Sequence, residues 1–83
     1  MAYKITISNQ AIKALEKIND PYYSSIKEAI YNLAYNSRPV GYIKLKNRDA
    51  YRIRVANYRI IYEIFDKILL IDIINIGHRK DIY

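Results

Sequence analysis

Tyr51-Arg-Ile-Arg-Val-Ala-Asn-Tyr-Arg-Ile-Ile-Tyr-Glu-Ile64 decides how this chain folds. Side chains alternate along a strand, so Tyr51, Ile53 and Val55 share one face while Arg52 and Arg54 share the other. After Ala56 and Asn57 the alternation resumes. Tyr58, Ile60, Tyr62 and Ile64 then lie opposite Arg59, Ile61 and Glu63. Asn57 tolerates a left-handed backbone, which suits a tight turn. The stretch predicts an antiparallel hairpin with an apolar underside and three arginines converging on top. A hairpin that only builds a core does not need arginine at three such positions.

Working outward, Asp66-Lys67 predicts a second tight turn. Ile68 to Ile76 is apolar on both faces, which predicts a strand with neighbours on each side and cover above and below. Gly77 ends it, and residues 78–83 form a tail. On the other side, Asn47-Arg-Asp-Ala50 is a turn, and Tyr42 to Lys46 alternates weakly as either a short edge strand or an extended loop. Ser37-Arg-Pro-Val-Gly41 breaks helical structure. Upstream, Pro21 fits the first position of a helix running to about Asn36, with Asp20 as its cap. Tyr22, Ile26, Ala29, Ile30 and Leu33 form its inner stripe. Ala11, Ile12, Leu15 and Ile18 give an earlier helix one apolar face, capped by Ser8 or Asn9. Tyr3 to Ser8 alternates as the first strand.

The order is β-α-α-β-β-β. It predicts a single α+β domain over residues 1–83, with the N-terminal strand and helical hairpin packed on a mostly antiparallel four-stranded sheet. A chain of this size buries only roughly 60% of its unfolded surface, so its stability is expected to be marginal without a partner.

The 14 Lys and Arg against 8 Asp and Glu give a formal charge of +6, which predicts a polyanionic partner. The basic residues cluster between Arg38 and Arg59 and again at Arg79 and Lys80. With no cysteine, disulfides and thiolate metal sites are excluded, and one histidine is no ligand set for a transition metal. No signal peptide and no membrane span are expected, and the cytoplasm is the expected compartment. With only Gly41 and Gly77, no glycine-rich phosphate loop is present.

Tyr51-Arg-Ile-Arg, then Tyr58-Arg-Ile-Ile-Tyr-Glu, an apolar strand, and Gly77-His-Arg-Lys-Asp-Ile-Tyr83 resemble the RelE/ParE toxin superfamily, specifically its RelE branch. Lys44-Leu-Lys46 ahead of the hairpin extends the resemblance over nearly the whole chain. It implies the toxin of a type II toxin-antitoxin system, a ribosome-dependent mRNA endoribonuclease that needs no metal or other cofactor. The ribose 2′-hydroxyl attacks the adjacent phosphate, leaving a cyclic phosphate and a free 5′-hydroxyl. The implied partners are a RelB-like antitoxin, the ribosome with its mRNA, and operator DNA only through the antitoxin complex.

Carried over by position, Arg52 and Arg54 stand where the best-known members place two lysines. Arg59 and Arg79 match arginines that bind and neutralise the reacting phosphate. Tyr83 sits near a C-terminal tyrosine that orients or stacks on RNA, at a shorter spacing from Arg79. Lys44, Lys46, Arg48 and Lys80 are candidate RNA-backbone contacts; the first three equally suit a solvated edge that discourages strand pairing. A guanidinium stays protonated, so Arg52 is a poor general base. His78 is a candidate acid or base, and Glu63 a second candidate base if it shares the arginine face. Two other readings remain: a ParE-like toxin that poisons DNA gyrase, and an inactive relative that only binds an antitoxin.

Overall fold

A computed structural model describes residues 2–78. The elements are β1 (Lys4–Ile7), α1 (Asn9–Glu16), α2 (Tyr22–Leu33), β2 (Ile43–Lys44), β3 (Tyr51–Val55), β4 (Tyr58–Phe65), a 3-10 turn at Asp66–Ile68, and β5 (Leu70–His78). They form the expected α+β domain, with five strands in the order β1-β5-β4-β3-β2 rather than four. The fifth is the weakly alternating segment: Ile43 and Lys44 zip antiparallel onto Arg52 and Tyr51. The N-terminal strand runs parallel to β5, and every other pairing is antiparallel.

Local chemistry sets the helix starts. The Ser8 hydroxyl accepts from the Ala11 N–H at 3.1 Å and donates to the Ile74 carbonyl at 2.6 Å, so one side chain caps α1 and pins it to the sheet. Asp20, expected as the cap of α2, lies one residue before its N-cap position and accepts from the Ser24 N–H at 3.0 Å and the Ser24 hydroxyl at 2.6 Å. Pro21 stands at the N-cap position, one residue earlier than expected, because the helix starts at Tyr22.

Both helices cover the same sheet face. Ala11, Leu15 and Ile18 from the first helical segment and Ile26, Ile30 and Leu33 from α2 meet Ile53, Ile60, Tyr62, Ile71, Ile73 and Ile76 in one core. Two expected inner residues turn outward: Ile12 is 41% exposed and Tyr22 44%. The i, i+4, i+7 spacing of Ala11, Leu15 and Ile18 leaves Ile12 off the stripe. Tyr23 packs against the core in place of Tyr22.

The expectation of cover on both faces of the last strand fails. Ile71, Ile73 and Ile76 point into the core, while Asp72, Ile74 and Asn75 remain partly exposed. The spacing changes from two to three because the pairing with β4 slips at Ile61/Tyr62, where Tyr62 meets Ile73 but Ile61 meets Asn75. Ile74 is the extra residue of a β-bulge.

Among the described residues, no helix is long and apolar enough to cross a membrane.

Candidate functional site

The hairpin register places the cations. Residues directly opposite in an antiparallel pair share a face. Arg54 lies opposite Arg59, and Arg52 lies opposite Ile61, so all three arginines occupy the face that the helices leave open. Arg59 is in turn opposite Gly77, which contributes no side chain to that row. Arg54 is exposed, whereas Arg52 and Arg59 are half-buried with their Nε atoms shielded from solvent. Ile61 sits on this face but is only 5% exposed. Arg52 lies across from it and Arg59 two residues along, and long arginine stems cover apolar surface well.

The next row is acidic. Glu63 pairs with Asp72, and Asp72 with Thr6, whose hydroxyl donates to the Asp72 Oδ1 at 3.0 Å. Glu63 therefore shares the arginine face, diagonal to Arg52. The open face runs from cationic at the Ala56–Asn57 turn to acidic towards β1.

His78 goes elsewhere. It pairs with Tyr58 and meets that ring edge-on, with 5.8 Å between centroids. Tyr58 belongs to the core side and touches Tyr22 of α2, also at 5.8 Å. The sheet thus separates His78, the candidate acid or base, from Arg52, Arg54 and Arg59. The bulge at Ile74 is the reason. One extra residue moves the side chains that follow it, from Ile76 to His78, to the opposite face. The polar pair Asp72 and Asn75, three apart in a strand of period two, carried that signal.

Lys44, Lys46 and Arg48 are exposed around the turn that follows β2, and Lys44 ion-pairs with Asp49 at 3.7 Å. They line a hollow of about 380 Å³ together with Ile43, Leu45, Asn47 and Arg52. Arg52 thus joins this turn to the arginine face. A larger hollow of about 570 Å³ lies between α2 and β3, with Leu33, Val40, Ile53 and Val55 in its walls and Arg54 among its lining. Arg79, Lys80 and Tyr83, expected to complete the site, lie outside the described residues.

Arg38, counted in the sequence among the cations of a nucleic-acid surface, has a structural partner. It pairs with the Asp66 Oδ2 at 3.2 Å and stacks over the Tyr51 ring at 5.3 Å. Its guanidinium is held above the usual arginine range, first by the Asp66 hydrogen bond and then by Tyr51. The Tyr3 hydroxyl donates to the Asp66 Oδ1 at 2.5 Å. Buried Tyr62 donates to the Ser37 carbonyl at 2.9 Å, and burial pushes its hydroxyl up to about 12. These contacts fix the loop after α2 against the sheet.

One helical layer over a mixed sheet, with arginines from two strands on the face opposite the helices, defines a small two-layer α+β domain with a cationic surface. The family model described as ParE toxin of type II toxin-antitoxin system, parDE, matches residues 5–83, and the chain belongs to that family. Among solved structures it is similar to the archaeal RelE of the RelE-RelB complex from Pyrococcus horikoshii, with 31% identity and a TM-score of 0.86 over 98% of this chain and 99% of that one. It is also similar to the RelB-RelE complex from Methanococcus jannaschii, with 29% identity and a TM-score of 0.73 over 94% of each chain. The isolated E. coli RelE toxin, at 22% identity and a TM-score of 0.80 over 93% of this chain and 84% of that one, shares the fold. These likenesses place the chain in the RelE branch of the superfamily. No curated protein sequence matches it.

Proposed function

We propose that this toxin is a ribosome-dependent endoribonuclease that cleaves mRNA on the open sheet face, and that a cognate antitoxin holds it inactive. One observation carries the reading: Arg54 stands directly opposite Arg59, with Arg52 on the same face, across the sheet from the helices. Three guanidinium side chains on one face concentrate positive potential there, which favours a polyanion above it.

Cleavage without a metal makes three demands. The 2′-oxygen must bond to the phosphorus while the P–O5′ bond breaks, giving a cyclic phosphate. The proton of the 2′-hydroxyl needs an acceptor, and the departing 5′-oxygen needs a donor. The extra negative charge of the phosphorane needs fixed cations. Arg52, Arg54 and Arg59 meet the last demand. Glu63 is the acceptor on the correct face, diagonal to Arg52, the departing 5′-oxygen takes its proton from solvent water, and His78 takes no part because the sheet stands between it and the phosphate. Arg79 and Tyr83 complete the grip on the RNA, as the resemblance implies, with Lys80 as a further backbone contact. The ribosome aligns the mRNA for in-line attack.

The antitoxin is the partner that the relatives solved as RelE-RelB complexes suggest for this chain. Its acidic, extended segments neutralise the arginine face and gain order on binding.

The test is primer extension on translated mRNA. Wild-type protein should cut within codons in the decoding site. Arg54→Ala, at an exposed position, should slow cutting about a hundredfold with an unchanged melting midpoint. The ParE family match favours a second reading, inhibition of DNA gyrase. Inhibited supercoiling with no cut mRNA would establish that reading and end the nuclease proposal. Neither activity would leave an antitoxin-binding relative.

A further inference from the structure

The hollow beside Arg52 has a composition that phosphate binding alone does not require. Its volume of about 380 Å³ falls in the ~300–1,000 Å³ range of small-molecule sites. Ile43 is 46% exposed, and its pairing with Arg52 puts it on the open face in one row with Arg52 and Ile61. Edge strands are usually blunted with charge. Here an isoleucine faces outward from the edge strand, and Leu45 adds apolar surface beside it. Asn47 stands at the turn. A turn asparagine commonly bonds to its own backbone two residues on. Among the described residues, the Asn47 side chain makes no hydrogen bond, so its donor and acceptor both stay available. Lys46 and Arg48 flank it, both exposed.

Apolar floor, amide and flanking cations together match one nucleotide: a base on the floor, its edge against an amide, its phosphates between cations. Arg52 lines the hollow and also belongs to the arginine face, so the two sites are contiguous. Resting on the nuclease reading above, we infer that this hollow seats the base of a nucleotide flanking the scissile phosphate. Ile43 and Leu45 support the base, Asn47 reads its edge, and Lys46 and Arg48 hold the adjoining backbone. Asp49 is tied to Lys44 at the rim. The site therefore determines nucleotide preference, and Asn47 is a specificity residue.

The experiment compares full-length wild type with Asn47→Ala on ribosome-bound mRNAs that differ at one nucleotide beside the cut. Asn47→Ala should reduce the ratio of cleavage rates between preferred and disfavoured nucleotides about fivefold at one position. An unchanged ratio overturns the assignment. So does complete loss of cutting with an unchanged melting midpoint, which would make Asn47 part of the general machinery. If Asn47→Ala fails to fold, Asn47→Ser, also suited to a turn, takes its place with the same expected loss. Weakened neutralisation by the antitoxin with an unaltered cleavage ratio would give the hollow to the protein partner instead. A wild-type chain that cuts no mRNA brings down the nuclease reading, and the subsite with it. Wild-type cutting with no change in the variants brings down the subsite alone.

Discussion

Asp66 ties together three parts of the chain. It accepts from Tyr3 at the start of the sheet and pairs with Arg38 from the loop after α2. Its carboxyl is held below the ordinary value of 3.8, first by the Tyr3 hydrogen bond and then by Arg38. A depressed carboxyl contributes stability that is complete above its unfolded value and is lost as pH falls through its folded one. Tyr3 moves the other way. The Asp66 hydrogen bond raises its hydroxyl above 10.0, so its contribution is complete below that pH and lost above it. Asp66→Asn should therefore melt below wild type by a constant margin from pH 7 down to about pH 5. The margin should close below about pH 4, where protonated aspartate and asparagine are near isosteres. Melting curves over that range check it, and a margin that persists at low pH would mean the carboxylate charge does not matter.

Alternation alone specifies the central hairpin. Within Tyr51–Val55 and Tyr58–Phe65 the side chains change face at every residue, and the observed register brings Arg54 to Arg59 as that pattern requires. The turn between the strands was less legible. The left-handed residue is Ala56, at φ 55°, not Asn57. Side-chain preference favours Asn there, but the register is set by apolar burial on either side, which leaves Ala56 at the strained position. Ala56→Gly removes the Cβ clash and should stabilise the fold by about 0.5–1 kcal/mol, readable in urea unfolding. β5 was legible as a strand and illegible in facing. Isoleucine at 68, 71, 73, 74 and 76 satisfies either face, so the sequence could not place His78. The bulge decided it. β2 was ambiguous because two residues carry too little periodicity to separate strand from loop. The hollow beside it is not legible in the sequence, because Asn47 and Ile43 are ordinary residues until the turn folds Leu45 and Arg52 around them.

The net charge of +6 says that a polyanion binds, but not where. The open face supplies direction. Its cationic end is Arg54 and Arg59, its acidic end Glu63 and Asp72, and the turn bearing Lys46 and Arg48 meets the face at Arg52, between the two. RNA that follows the favourable potential runs from the arginines outward over β2, away from β1 and the Asp66–Ile68 turn. Lysines along that path should bind phosphate, while those elsewhere contribute only to the bulk charge. Each phosphate contact on a single strand releases counterions and adds ~0.7 to the steepness of log affinity against log salt. Lys46→Ala should therefore flatten the salt dependence of single-stranded RNA binding by about 0.7. Lys67→Ala removes the same charge from the 3-10 turn and should leave the slope unchanged. Equal flattening by both would mean that RNA senses only the total charge, and the directed path over β2 would be wrong.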